Sequence, residues 1–331
     1  MTIEDIAKLA NTSVATVSRV INNDMHVSPA TRKRVQKVIA ENDYRPNFAG
    51  KNLRQNKTYQ LLAVLPTITN PFFSRVIEGL SDTADQNGYS LTFVVSDRDV
   101  KKEKSYLDRL MSKVVDGMVL FYPSIDAKTI ESYSKNYPVV CIGTTGTSKV
   151  SRAGINDFEA AREAIDYLIG LGHRRIALLS DMQPLAFNAE RERACRAAMF
   201  GAGLELPEDM ILRCSGKKNA AELVEELMKR PDPPTAVFSF SDTYAIPALK
   251  HLTDLGFKVG EEIDIMGFDN IEFAQFVTPS LTTVSQPGYQ LGESAFKLLL
   301  EKMEDINTIS KEIVFPHEIV IRDSTSKNMR P

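Results

Sequence analysis

Residues 2–22 read TIEDIAKLANTSVATVSRVIN, and this stretch decides the first part of the fold. Thr2 stands where an N-cap belongs, and Asp5 can reach back to it in a capping box. Ile3, Ile6, Ala7, Leu9 and Ala10 supply the apolar face of a first short helix. Asn11 then interrupts it, since asparagine tolerates the left-handed conformation of a tight turn. Ser13, with Thr16, offers a second N-cap for a helix from Val14 to about Ile21. Val17, Val20 and Ile21 have the spacing of its inner face, which leaves Val14, Ala15, Ser18, Arg19 and Asn22 pointing outward. Two helices across so short a turn form a helix-turn-helix candidate, and the outward set is what would meet a major groove. A third helix is expected at Ser28-Pro29, a cap followed by proline at the first helical position, with Val35, Val38 and Ile39 closing the small core.

Charge follows the same division. Residues 1–57 hold ten basic and five acidic side chains, a net +5, so an overall −3 leaves −8 for the remainder. A cationic module on an acidic body suits a polyanion-binding head, because phosphate neutralisation supplies most nonspecific nucleic-acid affinity. A solvated charged face would carry the same residues. At 331 residues and 43% hydrophobic content, two or three domains are expected. No run is apolar enough for a membrane span or a signal peptide, so a cytoplasmic protein is expected. Cys141, Cys195 and Cys214 lack any paired spacing, which fits reduced thiols rather than a disulfide or a metal site, and no cofactor is implied.

From Tyr59 onward, apolar runs alternate with helical stretches: 61–65, 89–95, 117–121, 139–142, 176–179, 236–240 and 263–266. This is an α/β pattern, a doubly wound parallel sheet in two lobes, with ligands expected in the cleft at the carboxyl ends of the strands. Phe72 and Phe73 follow a proline at a strand-to-helix turn, where they either wall the cleft or pack in the first lobe.

The linked runs Thr2 to Ala7, Ala15 to Asn22, Val27-Ser28, Thr31-Arg32 and Tyr44 to Asn47 resemble the LacI/GalR family, and the resemblance continues through Asn70 to Phe73, Val115 to Gly117, Leu171 to Ile176, Gly267 to Asp269, Pro279 to Thr283 and Arg322 to Thr325. It implies a helix-turn-helix at 1–45, a hinge helix and linker at 46–58, and a body at 59–331 like a periplasmic sugar-binding protein. The body's first lobe would take about 59–156 and 287–317, and its second about 157–286 and 318–331, with crossovers near Asp157, Gln286 and Glu318. Carried over, Val14, Ala15 and Arg19 reach base edges. Arg19 can take guanine O6 and N7 bidentately, worth about 1 to 3 kcal/mol of discrimination. Leu53 matches a minor-groove wedge on a hinge helix that pairs with its twin. The full DNA-facing set adds Thr2, Ser13, Thr16, Ser18, Asn22, His26, Thr31, Tyr44, Asn47, Gly50 and Arg54. Asn11-Thr12-Ser13 replaces the usual Gly-Val-Ser, and Gly50-Lys51-Asn52 departs from the pattern before the leucine.

For the cleft, the resemblance implies an effector-binding arginine at Arg191 and an aspartate at Asp242 that accepts from ligand hydroxyls; a helix N-cap is the competing role for Asp242. Ala194-Cys195 stands where relatives have glycine and an aromatic. Lys217 and Lys218 would suit an anionic effector, or simply a solvated loop. The expected partners are double-stranded operator DNA, a small-molecule effector (a sugar, sugar phosphate or nucleoside), a second copy of the chain and, in some settings, a protein coregulator. No nucleophile elbow, zinc-protease motif or dinucleotide fingerprint is present, so an enzyme is not expected.

Overall fold

The computed structural model describes residues 1–44, 57–183 and 185–325. The chain divides into two compact units, Met1–Thr58 and Tyr59–Pro331.

The first unit contains α1 (Ile3–Leu9), α2 (Val14–Ile21) and α3 (Pro29–Glu41). Each start is chemically specified. Thr2 Oγ1 accepts from the Asp5 amide at 3.3 Å, and Asp5 Oδ2 accepts from the Thr2 amide at 2.9 Å. Ser13 and Ser28 accept from the amides of Thr16 and Thr31 at 3.2 and 3.3 Å. Asn11 takes the turn at φ 47°. The core is Ile6, Ala7, Ala10, Val17, Val20 and Val35, flanked by Ile3, Ile21, Val27, Val38, Ile39 and Tyr44. Leu9 departs from expectation and is 57% exposed. Ile3, Ile6, Ala7 and Ala10 already complete the inner stripe, and Leu9 falls to its side.

The second unit is built on two six-stranded sheets. In chain order the first lobe has β1 (Gln60–Leu65), α4 (Phe72–Gln86), β2 (Ser90–Val95), α5 (Val100–Met111), β3 (Gly117–Phe121), α6 (Ala127–Ser134), β4 (Val139–Ile142) and β5 (Arg152–Ile155). The second lobe has α7 (Asp157–Gly170), β6 (Ile176–Asp181), α8 (Ala186–Gly201), β7 (Ile211–Cys214), α9 (Lys217–Met228), β8 (Ala236–Ser239), α10 (Asp242–Asp254), β9 (Asp264–Asp269) and β10 (Thr282–Ser285). The chain then returns to the first lobe for α11 (Gly288–Glu304) and β11 (Glu312–Phe315), and ends its described course at β12 (Glu318–Val320) in the second. The sheet orders are β11-β5-β4-β3-β1-β2 and β12-β10-β9-β8-β6-β7.

All strand pairs are parallel except β12 on β10, an antiparallel edge on an otherwise doubly wound sheet. Alternation of side chains explains why the central strands read as unbroken apolar runs. Leu61, Ala63 and Leu65 of β1 join one core with α4 and α11, while Leu62 and Val64 join another with Leu107 and Ile130. Helices α4 and α11 cross at two glycines. A Cβ on Gly79 would lie 2.0 Å from the Tyr289 carbonyl oxygen, and one on Gly292 2.0 Å from that of Val76.

The chain passes between lobes after β5, β10 and β11. Ile155 is paired with Phe315 on one side, and Ser285 with Glu318 on the other, so the three crossings run side by side.

Candidate functional site

On the first unit, α2 presents Val14, Ala15, Arg19 and Asn22 to solvent, with Thr16 and Ser18 half-buried. The capping that starts the helix also orients its first turn: Ser13 and Thr16 hydroxyls lie 2.9 Å apart. Asn22 Nδ2 donates to the Ser18 carbonyl at 2.7 Å. Thr2 and His26 are exposed, Thr31 is half-buried at the start of α3, and Tyr44 packs partly against the small core. Eleven side chains of the expected DNA-facing set thus lie on one small three-helix unit. Asn47, Gly50, Leu53 and Arg54, with the expected hinge helix, lie outside the described residues.

In the second unit a cavity of about 690 Å³ opens between the lobes at the carboxyl ends of the strands. Phe72 and Phe73 line it from the start of α4, and both are more than nine-tenths buried. They serve in the core and the wall together, since they also belong to the first lobe's main cluster. Tyr122 lies tilted against Phe73, ring centres 6.0 Å apart, and meets Phe187 of the opposite lobe edge-on at 5.0 Å. Asn70 places α4 by accepting from the Phe72 amide at 3.0 Å, while its Nδ2 donates to Asp269 Oδ2 across the cleft at 3.0 Å.

Arg191 reaches the cavity from α8, but its fork is already engaged. Nε and Nη2 donate to Asp157 Oδ1 at 2.9 and 2.7 Å, and Nη1 donates to the Phe240 carbonyl at 2.7 Å. The guanidinium lies 3.5 Å from the ring centre of Phe268. Burying an arginine to 2% exposure is tolerable only with such pairing.

Asp242 does not line the cavity, which corrects the sequence expectation. It is the first residue of α10, fully buried, with Oδ2 accepting from the Ile271 amide at 2.9 Å and Oδ1 from the Thr283 hydroxyl at 2.6 Å. Nor is it the N-cap; Ser241 is, accepting from the Thr243 amide at 3.3 Å. Ser241 and Asp269 are the polar groups that face the cavity here. Asp269 Oδ1 accepts from Gln286 Nε2 at 2.8 Å, and Oδ2 from the Ser241 hydroxyl at 2.9 Å. Burial pushes its carboxyl above the ordinary range, opposed by Arg191 and these hydrogen bonds. Asp269 and Asn270 have φ of 114° and 52°, a strained turn of the kind that gathers at ligand sites.

Further contacts close the mouth. Arg98 Nη1 pairs with Asp181 Oδ2 at 2.6 Å, and Tyr244 donates to the same oxygen at 2.6 Å. Lys217 Nζ donates to the Thr69 carbonyl at 3.4 Å, while the Lys218 side chain is 91% exposed. Among the described residues no cluster of His, Cys, Asp or Glu could hold a metal ion, and no helix is long and apolar enough to cross a membrane.

A helix-turn-helix unit followed by a two-lobed unit with a cavity lined by aromatic and polar side chains is the architecture of ligand-sensing DNA-binding proteins. Residues 2–47 match the lacI family of bacterial regulatory proteins, and residues 165–325 match the periplasmic binding protein-like domain. The chain is 33% identical over 327 residues to the HTH-type transcriptional repressor CytR of Escherichia coli K12, covering 98% of this chain and 96% of that one. It is 32% identical over 329 residues to the catabolite control protein A of Priestia megaterium, covering 98% and 99%. Among solved structures, the transcriptional regulator CelR in complex with cellobiose superposes with a TM-score of 0.72 at 28% identity, covering 98% of this chain and 99% of that one. This chain belongs to the lacI family: it is a DNA-binding transcriptional regulator and not an enzyme.

Proposed function

We propose that the protein is a repressor of a carbohydrate-utilisation operon, acting in the cytoplasm as a homodimer on a palindromic operator, and released or engaged by a neutral, hydroxyl-rich ring ligand in the interlobe cavity. The observation that carries the ligand class is the state of the cavity's charges. Arg98 and Arg191 are each neutralised by a carboxylate of this chain, which leaves little net positive charge to favour a phosphate or carboxylate, and Lys217 donates to the Thr69 carbonyl at 3.4 Å. What remains suits a sugar or nucleoside: aromatic faces from Phe72, Phe73, Tyr122 and Phe187, and the Ser241, Asp269 and Gln286 group for hydroxyls. CelR with cellobiose supports a sugar.

Dimerisation follows from the operator chemistry, because a twofold protein reads a twofold site. It also agrees with β2, an edge strand of the first sheet that exposes half of Phe93. Arg19, Val14 and Ala15 read base edges, and Leu53 wedges the minor groove. Ligand binding at the cleft biases the lobes and thereby operator affinity.

The test is a thermal-shift screen of neutral sugars, nucleosides and sugar phosphates on the full chain, followed by duplex retention in the presence of each hit. A neutral sugar or nucleoside is expected to raise the melting temperature and change operator affinity, and Asp269→Asn to weaken that ligand by about tenfold or more. Stabilisation by the phosphates alone would overturn the ligand class, and a monomer in sedimentation with bound duplex would overturn the dimer.

A further inference from the structure

Beyond α2 the chain turns through Asn22 to Met25 before α3, and one carboxylate organises that turn. Asp24 Oδ1 accepts from the His26 amide at 2.9 Å and lies 2.8 Å from His26 Nδ1. Its other oxygen, Oδ2, faces Arg19 Nε at 4.0 Å. The Asp24 amide donates to the Arg19 carbonyl at 2.9 Å, and the Asp24 carbonyl accepts from Arg32 Nη2 of α3. The residue therefore ties the end of α2, the turn and α3 together. Hydrogen bonds from His26 hold its carboxyl below the usual range, so it is charged at neutral pH.

A negative charge is costly at this place. The Arg19 and His26 side chains beside it are 60% and 90% exposed, on the face where α2 turns outward, and a carboxylate there repels phosphate. An arginine has a compensating use for it. Its five donors lie in one plane, and when Nε faces a carboxylate the two terminal nitrogens form a fork directed away from it. A guanine presents O6 and N7 to such a fork in the major groove. Without an anchor, the long side chain must be ordered afresh at each encounter, and it can settle on a phosphate instead.

We infer that Asp24 is a positioning residue for base reading: its carboxylate, clamped by His26, aims the Arg19 guanidinium at a base and gives up some nonspecific attraction for sequence discrimination. The inference rests on Arg19 as a base reader. It predicts effects of opposite sign. Asp24→Asn keeps an acceptor for the His26 amide but removes the charge, so binding to random duplex strengthens while preference for the operator weakens. Asp24→Glu keeps the charge but misplaces it, so preference weakens with no gain on random duplex.

The experiment uses the full chain and the palindromic duplex that it selects from a randomised pool, with random duplex as competitor at fixed salt. Wild type, both Asp24 variants, Arg19→Ala and the Arg19→Ala/Asp24→Asn double variant are measured on the selected duplex and all its single-base substitutions. Thermal unfolding establishes that each variant is folded. Asp24→Asn is expected to lower the operator-to-random ratio about fivefold or more, only at base pairs whose preference Arg19→Ala also erases, and to have no such effect when Arg19 is absent. A base-preference profile untouched by Arg19→Ala would overturn the inference at the reader. An Arg19 effect that persists while Asp24→Asn strengthens all duplexes equally, or adds independently to Arg19→Ala, would overturn it at the carboxylate.

Discussion

At the scale of single residues, the buried carboxylates carry the most information. Burial pushes Glu103, Asp242 and Asp269 above the ordinary carboxylate range, in each case against hydrogen bonds that pull the other way. Glu103 fastens the turn after β3 to the start of α5: its Oε2 accepts from the Ser124 and Ile125 amides at 2.9 Å each. An acid that holds its proton more tightly when folded makes the folded state lose stability as pH rises from the ordinary value through the raised one. Glu103→Gln keeps an acceptor and abolishes the titration. Its stability relative to wild type should therefore improve as pH rises from the ordinary glutamate value, and unfolding curves that stay parallel as pH rises would refute the assignment. The same residues mark where sequence reading stops. Ser241 and Asp242 are neighbours at the start of α10, yet Asp242 enters the core and Ser241 faces the cavity, because the extended N-cap and the first helical residue direct their side chains differently. Position along the chain could not choose between them. Asp269 stood in a recognised run, Gly267-Phe268-Asp269, and its place at the carboxyl end of a strand was the available signal.

At the scale of elements, the helices of the first unit were legible to within a residue because caps and the helical stripe agree at every start. The strands were legible where the apolar run is unbroken, including the edge strand β2. Expected runs coincide with β1, β2, β3, β4, β6, β8 and β9, whereas β5, β7, β10, β11 and β12 are short stretches in which polar or small residues break the apolar run. The crossing of α4 and α11 was invisible for a different reason: a glycine that admits a neighbouring backbone has no side chain to advertise it. Gly79→Ala and Gly292→Ala should each cost about 3 kcal/mol, the upper end of overpacking, since a backbone oxygen cannot swing aside. Gly201→Ala, with open space around its Cβ, should be neutral or mildly stabilising in the same chemical denaturation series. Equal losses at all three positions would mean that the close crossing does not hold these helices.

For the whole molecule, the two units have separate cores, and the charge asymmetry of the sequence falls on the same division. Residues 59–331 made alone should unfold cooperatively and keep the thermal response to any ligand that stabilises the full chain, while losing duplex retention. Loss of the ligand response in that fragment would mean that the sensor needs the first unit. Within the second unit, the three side-by-side crossings have a mechanical meaning. A single strand between two bodies lets them swing, twist and slide, like a door hung on a cord. Three in a row act as a door hung on a strip: twisting and sliding would stretch one crossing against another, and only opening about the line of the strip stays soft. On the proposed reading, a molecule that fills the cavity would have its presence converted into one angle, and a regulator that must give its partner an unambiguous answer would have no second motion in which to lose it.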